Sequence, residues 1–347
     1  MARLGVLLSV VLAASAVALG NQDDSTRSRD VADAQISPDG SVVLFSRAGV
    51  IWRVAFSGGD PQQVTAAEAV SGRPRWSPDA RQIAFLHSPS PEVGPLRIFI
   101  MPANGGVARA ITPASIAVTA FEWSPSGRRI AFVSRATDPA LWVVDADGGG
   151  LRRLRPGVTG AFAWAPDDSA IARVVGAPWL ERLPAEIIGL EGNPAPRPLA
   201  REVHPRISWS RDGTIVLMAQ RPDRLLLASA PGFAIREVPV PAVSALADVV
   251  SLGSGHVSLT FMSKQGSWIE RLTTATGERI IVMPPGTARA FLTPSWSLDG
   301  TRYVVPGKNE SEVAEVFAGT LPLPESGRPD FVGARPPPVR QITFSAR

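Results

Sequence analysis

The first candidates for chemistry in this 347-residue chain are its three histidines, His87, His204 and His256. They stand far apart, with none of the short spacings that place two imidazoles on one metal. No His-Glu-x-x-His, no Gly-x-Ser-x-Gly elbow, no phosphate-binding Gly-Lys-Ser/Thr loop and no dinucleotide glycine fingerprint occurs. With no cysteine, thiolate metal sites, disulfides and a Cys nucleophile are excluded. Two short stretches imitate sites. Gly253-Ser254-Gly255-His256 sets a serine beside a histidine, but where a turn is expected. Asp145-Ala146-Asp147 begins like a calcium loop and lacks the later ligands, so Asp147 reads as a turn residue. No catalytic residue and no metal ligand set is assigned. The cofactor reading is none, with a calcium ion in a central channel as the alternative.

A second set of polar residues is more informative. Arg73, Arg75, Glu122, His204 and Arg206 all lie just before a recurring tryptophan. If the strand leading into each tryptophan is the innermost of its sheet, these five side chains line a central channel and are the binding candidates. Among carboxylates, the register places only Glu122 there.

The elements that would carry them repeat. A short phrase starts at residues 36, 76, 123, 164, 209 and 296: Ile36-Ser37-Pro38-Asp39-Gly40, then Trp76-Ser77-Pro78-Asp79-Ala80, and on to Trp296-Ser297-Leu298-Asp299-Gly300. The first four gaps are 40, 47, 41 and 45 residues, and the last, 87, is about two periods. A degenerate copy, Val250-Ser251-Leu252-Gly253, fills the long gap. In phase with each phrase come an apolar strand, a third strand, a glycine turn and a fourth strand opening with Arg, as at Arg109, Arg152, Arg197, Arg279 and Arg340.

Each unit is physically coherent. Pro presets φ, Asp bonds its own backbone and Gly takes the left-handed position of a tight turn. A four-stranded sheet this small has two apolar faces that it cannot bury alone. Stacking such units radially buries both, which is the β-propeller arrangement. The expectation is an all-β propeller of four-stranded blades, seven if the degenerate copy counts and six if not. Blades start near 36, 76, 123, 164, 209, 251 and 296 within a single domain, 31–347. Ring closure is expected through apolar faces, with no strand shared between the chain ends. The repeated Trp reads as a blade-to-blade packing residue.

Composition agrees: 31 Gly and 33 Pro suit many turns. The formal charge is +4, and only Lys264 and Lys308 among the 35 basic residues are lysines. The arginines are dispersed, so no nucleic-acid footprint is read. Residues 1–20 read as a signal peptide: Arg3, an apolar run Leu4 to Leu19, and small residues for cleavage. Residues 21–30 form a short linker. The mature chain is expected to be exported, periplasmic or secreted, with no membrane span after cleavage; an uncleaved anchor is the alternative.

Trp123-Ser124-Pro125-Ser126-Gly127-Arg128-Arg129-Ile130-Ala131-Phe132, with Leu141 to Gly149 and Arg152-Arg153-Leu154, resembles the TolB-like (WD40-like) propeller repeat. Gln62-Gln63-Val64-Thr65 and Arg340-Gln341-Ile342-Thr343 match its closing strand, and the resemblance runs over about residues 30–347. It implies a non-catalytic scaffold that binds a protein or peptide partner in the cell envelope. TolB itself carries an α/β domain before its propeller, which the short stretch after the signal here leaves no room for. Related propellers sit beside catalytic domains, so the alternatives are an accessory or gating chain for a separate hydrolase, or a metal-dependent propeller hydrolase. The Pro-rich stretch Leu321 to Pro338 is expected to be an extended loop.

Overall fold

The computed structural model describes residues 31–342 apart from 68, 90–93, 136–138, 178, 181, 193, 221–222, 241–244, 254, 264–265, 291–292, 309–313 and 322–338. The signal and linker, Ser254, Thr343-Phe344 and all but the first residue of the Pro-rich stretch therefore lie outside the described residues. Within them the regular structure is antiparallel strand throughout, with no helix.

Each repeat is a meander. In blade 3 the strands Ala117–Trp123, Arg129–Arg135, Ala140–Asp145 and Arg152–Pro156 pair in chain order. Blades 1 and 2 are separate four-stranded sheets of the same kind. Between blades 4 and 5 the chain does not break: Arg197–Trp209 is one 13-residue strand. Its first half closes blade 4 and its second half opens blade 5. The pivot is Val203, which pairs with Leu183 on one side and Ala219 on the other. Arg279–Ala290 likewise links blades 6 and 7, and the sheets there have seven and eight strands instead of two fours each. The degenerate copy is a full blade: Ala245–Gly253, His256–Ser263, Gly266–Thr273 and the start of Arg279–Ala290 pair in sequence. The ring has seven blades, and the six-blade alternative falls.

The second strand of each blade is sandwiched on both faces. In Arg129–Arg135, Ile130, Ala131, Phe132 and Val133 are all buried, so the run reads as continuously apolar. The core is correspondingly divided. Seven apolar clusters are found, one between each pair of neighbouring blades. Ile98 and Ile100 of blade 2, for example, meet Phe121 and Phe132 of blade 3. Full burial of one such side chain stabilises by roughly 1.5–3 kcal/mol.

Two polar devices reinforce these interfaces. The Trp123 indole Nε1 donates to the Arg75 carbonyl, and Trp164 Nε1 to the Glu122 carbonyl, both at 3.3 Å, so each indole ties its blade to the preceding one. At the rim, an arginine at or near the start of four outer strands donates to a carbonyl of the next blade. Arg109 reaches Asp147 and Ala146, Arg152 reaches Leu190, Arg236 reaches Thr274, and Arg197 reaches Gly232. The basic composition is thereby largely structural. A guanidinium can donate to two carbonyls at once, which an ammonium on a flexible stem does less well.

Closure follows the same rules. Residues Arg340–Ile342 pair with Val316, Phe317 and Ala318 of their own blade, and not with Val31–Ile36. Val31, Ile36, Phe45 and Phe56 of blade 1 pack instead against Val304, Val316 and Ile342 of blade 7. Arg302 donates to the Gly40 carbonyl at 2.9 Å and lies over the Phe56 ring, where Arg340 also stacks. Gly40 has φ +73°, the left-handed position that glycine takes without strain, and the Arg302 side chain packs against it.

The turn phrase works as its chemistry dictates. Ser37 Oγ donates to Asp39 at 2.5 Å and Ser77 Oγ to Asp79 at 2.6 Å, while the backbone amides of Ser41 and Arg81 donate to the same carboxylates. These bonds, the serine hydroxyl first, hold both carboxyls below their usual pKa. Blade 3 breaks the pattern, with Ser126 where the aspartate belongs, and blade 4 breaks it in a complementary way. Asp168 replaces the glycine there, keeps the left-handed backbone at φ 63°, and is buried. Its carboxylate accepts from the Ser126 amide at 3.1 Å and from the Ser126 hydroxyl. Blade 4 thus supplies the carboxylate that the blade 3 turn lacks. Asp168→Gly should lower unfolding stability by about 1–2 kcal/mol, because the lost charge-assisted bonds outweigh relief of the left-handed strain. Ser126→Asp combined with Asp168→Gly should recover most of it, as read from denaturant midpoints.

Candidate functional site

The innermost strands are Val31–Ile36, Val70–Trp76, Ala117–Trp123, Thr159–Trp164, the second half of Arg197–Trp209, Ala245–Gly253 and Ser295–Trp296. A side chain one residue before the aromatic position falls at the same level on each. Gln35, Arg75 and Glu122 occupy it in blades 1, 2 and 3, Ala163 in blade 4, Ser208 in blade 5 and Ser295 in blade 7. The lining is therefore uneven, charged on blades 2 and 3 and small or neutral from blade 4 onward. Hydrogen bonds join this level around the ring: Ser208 Oγ accepts from the Ser251 amide at 2.9 Å, and Ser295 Oγ from the Ile36 amide at 3.1 Å.

The five residues expected from the sequence divide into two groups. Arg73, Arg75 and Glu122 come together on blades 2 and 3. Arg73 sits at φ 52°, inside a bulge between Gly72 and Arg75, and its guanidinium donates to the Thr119 carbonyl of blade 3 at 2.7 Å. Arg75 donates only to the neighbouring Pro74 carbonyl, at 2.9 Å, and is half-exposed. The crowding of the walls pushes its pKa down, while the carboxylates of Asp33 and Glu122 pull it up and Arg73 opposes them. The guanidinium stays charged throughout the working pH range. Glu122 touches water yet is hemmed in by protein, and this partial loss of hydration pushes its carboxyl up to about 7 against the pull of Arg75.

His204 and Arg206 form the other group, on blade 5. The His204 ring Nε2 lies 3.0 Å from the Gln220 carbonyl and the side chain is half-buried. Arg206 donates to the Ala247 carbonyl at 3.1 Å and stands 3.4 Å from the Asp248 carboxylate. Both are engaged with neighbouring strands. Burial raises the Asp248 pKa, with Arg206 acting the other way.

The sequence reading found one inner-strand carboxylate, and the structure adds two, Asp33 and Asp248. Asp33 had a legible signal: it stands three residues before Ile36, as Arg73 does before Trp76 and Arg206 before Trp209. Asp248 had the same signal, three residues before Ser251 in the degenerate copy, and all four positions lie at a register shift between the first two strands of their blades.

The imitated sites resolve into structural features. Asp147 accepts from the Gly149 amide at 2.8 Å, a turn bond. His256 lies 3.3 Å from the Thr273 hydroxyl across its hairpin. His87 bonds the Ser71 hydroxyl at 2.9 Å and packs on Phe99, and burial holds its pKa below the usual value. Among the described residues no three His, Asp or Glu side chains converge as metal ligands. A shallow cleft of about 350 Å³ lies at the turns of blades 3 and 4, lined by Ser126, Arg128, Arg129, Asp167 and Asp168 among others.

Taken together, the strands and sheets make an all-β propeller of four-stranded blades. Known structures with this architecture include a puromycin-hydrolysing peptidase from Mycobacterium tuberculosis, with a TM-score of 0.68 at 15% identity over 92% of this chain and 54% of that one. The β-propeller domain of the Trilobed protease from Pyrococcus furiosus, described with an open velcro topology, gives 0.65 at 14% identity over 90% of this chain and 95% of that domain. The acylaminoacyl peptidase of Pyrococcus horikoshii gives 0.65 at 14% over 90% and 52%. The chain thus spans about half the length of these two whole peptidases. At such identities the likeness concerns the fold. No family profile and no curated protein sequence matches the chain. No helix among the described residues is long and apolar enough to cross a membrane.

The Glu122 environment has a pH consequence. An acid whose folded pKa lies above its ordinary value supports the fold fully below that ordinary value. The contribution disappears as pH rises through the folded pKa, here between about 4.5 and about 7. Glu122→Gln mimics the neutral form. Its thermal midpoint should therefore gain on the wild type as pH is raised from about 4.5 to about 8, when both are scanned in matched buffers.

Proposed function

We propose that this chain is a non-catalytic propeller scaffold that binds a protein or peptide in the cell envelope through the inner-strand cluster of blades 1–3. The observation that carries the reading is the grouping of Arg73, Arg75, Glu122 and Asp33 on a rigid ring, with Arg75 and Glu122 open to water and Arg75 bonded only to its own strand. Loops and edges on a fixed scaffold are where recognition evolves at little cost to the fold. Charged groups that are already held in place bind a complementary chain with less ordering penalty. Neither covalent chemistry nor a cofactor is needed for this role, and the export signal read from residues 1–20 gives the envelope as its setting.

A second reading has its own support. The peptidases named above continue well beyond the propeller, so a propeller of this type can accompany a hydrolase. Here the chain would be an accessory or gate for a catalyst on another chain.

A pull-down from envelope extract tests both. The mature wild type should retain a distinct polypeptide, and Arg75→Ala with Glu122→Ala should retain roughly tenfold less or below. Equal capture by both proteins refutes the inner-strand site. A captured hydrolase selects the accessory reading, and tightly bound calcium with intrinsic hydrolase activity overturns both.

A further inference from the structure

We infer that the inner-strand site recognises a carboxylate of its polypeptide partner, held by donors from three consecutive blades: the Gln35 amide, the Arg75 guanidinium and the protonated Glu122 carboxyl. This rests on the binding role proposed above and names the ligand chemistry of that same site. The three side chains stand one residue before the aromatic position in blades 1, 2 and 3, so they form one arc at one level of the inner wall.

Each has hydrogen-bonding capacity that the protein leaves unused. The Ser295 hydroxyl donates to Gln35 Oε1 at 3.4 Å, and Gln35 Nε2 has no acceptor among the described residues. Arg75 donates to the Pro74 carbonyl through one nitrogen, and its other N–H groups have no protein partner there. The Glu122 carboxylate accepts no hydrogen bond from the described residues and forms no close ion pair with them, although Arg75 is near enough to pull on its charge. All three reach water. The arc ends at blade 3. Ala163, Ser208, Val250 and Ser295 fill the level on the other blades, and both serines already accept from backbone amides.

Charge selects the ligand. Three residues before the aromatic position, Asp33 and Asp248 stand against Arg73 and Arg206, so that level is balanced. At the level of the arc, Glu122 alone sets the balance. Ionised, it neutralises Arg75. Protonated, it leaves one uncompensated guanidinium and becomes a third donor beside it. No other group around Glu122 takes this role. Ala131 is its partner across the blade 3 hairpin, and Phe162 and Trp164 pack there from blade 4. Arg129 lies over the Trp164 ring and bonds the Asp168 carbonyl, Arg173 is paired with Glu186 at 2.8 Å, and Arg73 donates to the Thr119 carbonyl. Loss of hydration pushes the Glu122 carboxyl up to about 7, so the site changes its charge near neutrality. The carboxylates of an acidic side chain or of a chain end are ionised throughout that range, and in an unmodified polypeptide they are the only anions there. Binding of such a group to the ionised site therefore takes up one proton, which Glu122 and the bound carboxylate share.

The test titrates the mature protein with three acetylated glycine-serine peptides, followed by saturation transfer to the peptide signals in NMR. One has a single internal glutamate and an amidated end, one has a free carboxyl end and no acidic side chain, and one has neither. The wild type should bind the first or the second and not the third, and whichever binds identifies a side chain or a chain end as the source. Affinity should fall about tenfold from about pH 6 to about pH 8, because the protonated fraction of Glu122 falls from about nine-tenths to about one-tenth. Glu122→Gln, a donor at every pH, should bind at the upper pH about as tightly as the wild type does at the lower one. Arg75→Gln should bind about tenfold more weakly at the lower pH. Binding of no peptide, equal binding of all three, an affinity that does not change with pH, or a pH dependence that survives in Glu122→Gln each overturns the inference. None of these outcomes touches the scaffold reading, which stands or falls with capture of an envelope polypeptide. If Arg75→Gln fails to fold, the three peptides and Glu122→Gln decide.

Discussion

The structure depends on the fact that a four-stranded blade has two apolar faces and no interior of its own. Every apolar cluster among the described residues lies between two blades, so each blade depends on its neighbours to cover its faces. The same constraint explains the continuous apolar second strands, such as Val43-Leu44-Phe45 and Ile130-Ala131-Phe132, and the tryptophan that recurs at five of the seven interfaces. It also explains why closure needs no exchanged strand. The last interface, between blades 7 and 1, is built from the same kind of residues as the others, with Arg302 and Arg340 stacked on Phe56 at its edge.

Polar groups act as ties laid across those apolar interfaces. The indole bonds near the axis link a side chain to the backbone of the preceding blade, and the arginine bonds at the rim link one to the backbone of the next. Because the acceptor is a backbone carbonyl, the tie does not depend on which residue the neighbour carries there. That frees individual repeats to vary. The turn of blade 3, which lost its aspartate, is completed by Asp168 from blade 4, and blade 6 lost nearly the whole phrase without losing its strands.

The same independence leaves the inner strands free to specialise. Seven equivalent positions around one axis would give a symmetric lining if the repeats were identical. Here blades 1–3 carry Asp33, Arg73, Arg75 and Glu122, while blade 4 offers only Ala161 and Ala163 at the corresponding places. The asymmetry creates a local electrostatic environment in which a carboxyl held near neutrality stands beside a permanently charged guanidinium. An apolar tip on the blade 4 loops adds a second asymmetry on one outer face.

The architecture was legible because it is periodic: the turn phrase, the apolar second strand and the glycine turn recur in phase, and repetition averages out the ambiguity of any single copy. The packing role of the tryptophans and the turn role of the aspartates were legible for the same reason. The five inner-strand candidates followed from register, as did the signal for Asp33. Three things were not legible: the union of outer and inner strands at Val203, the pairing of Asp168 with Ser126, and the rim arginines as inter-blade ties. Each depends on which residues of different blades meet, or on a one-residue shift in pairing. Local periodicity carries no information about either, so the sequence by itself determined the blade, and only the tertiary structure decided how blades are joined and which charges face one another.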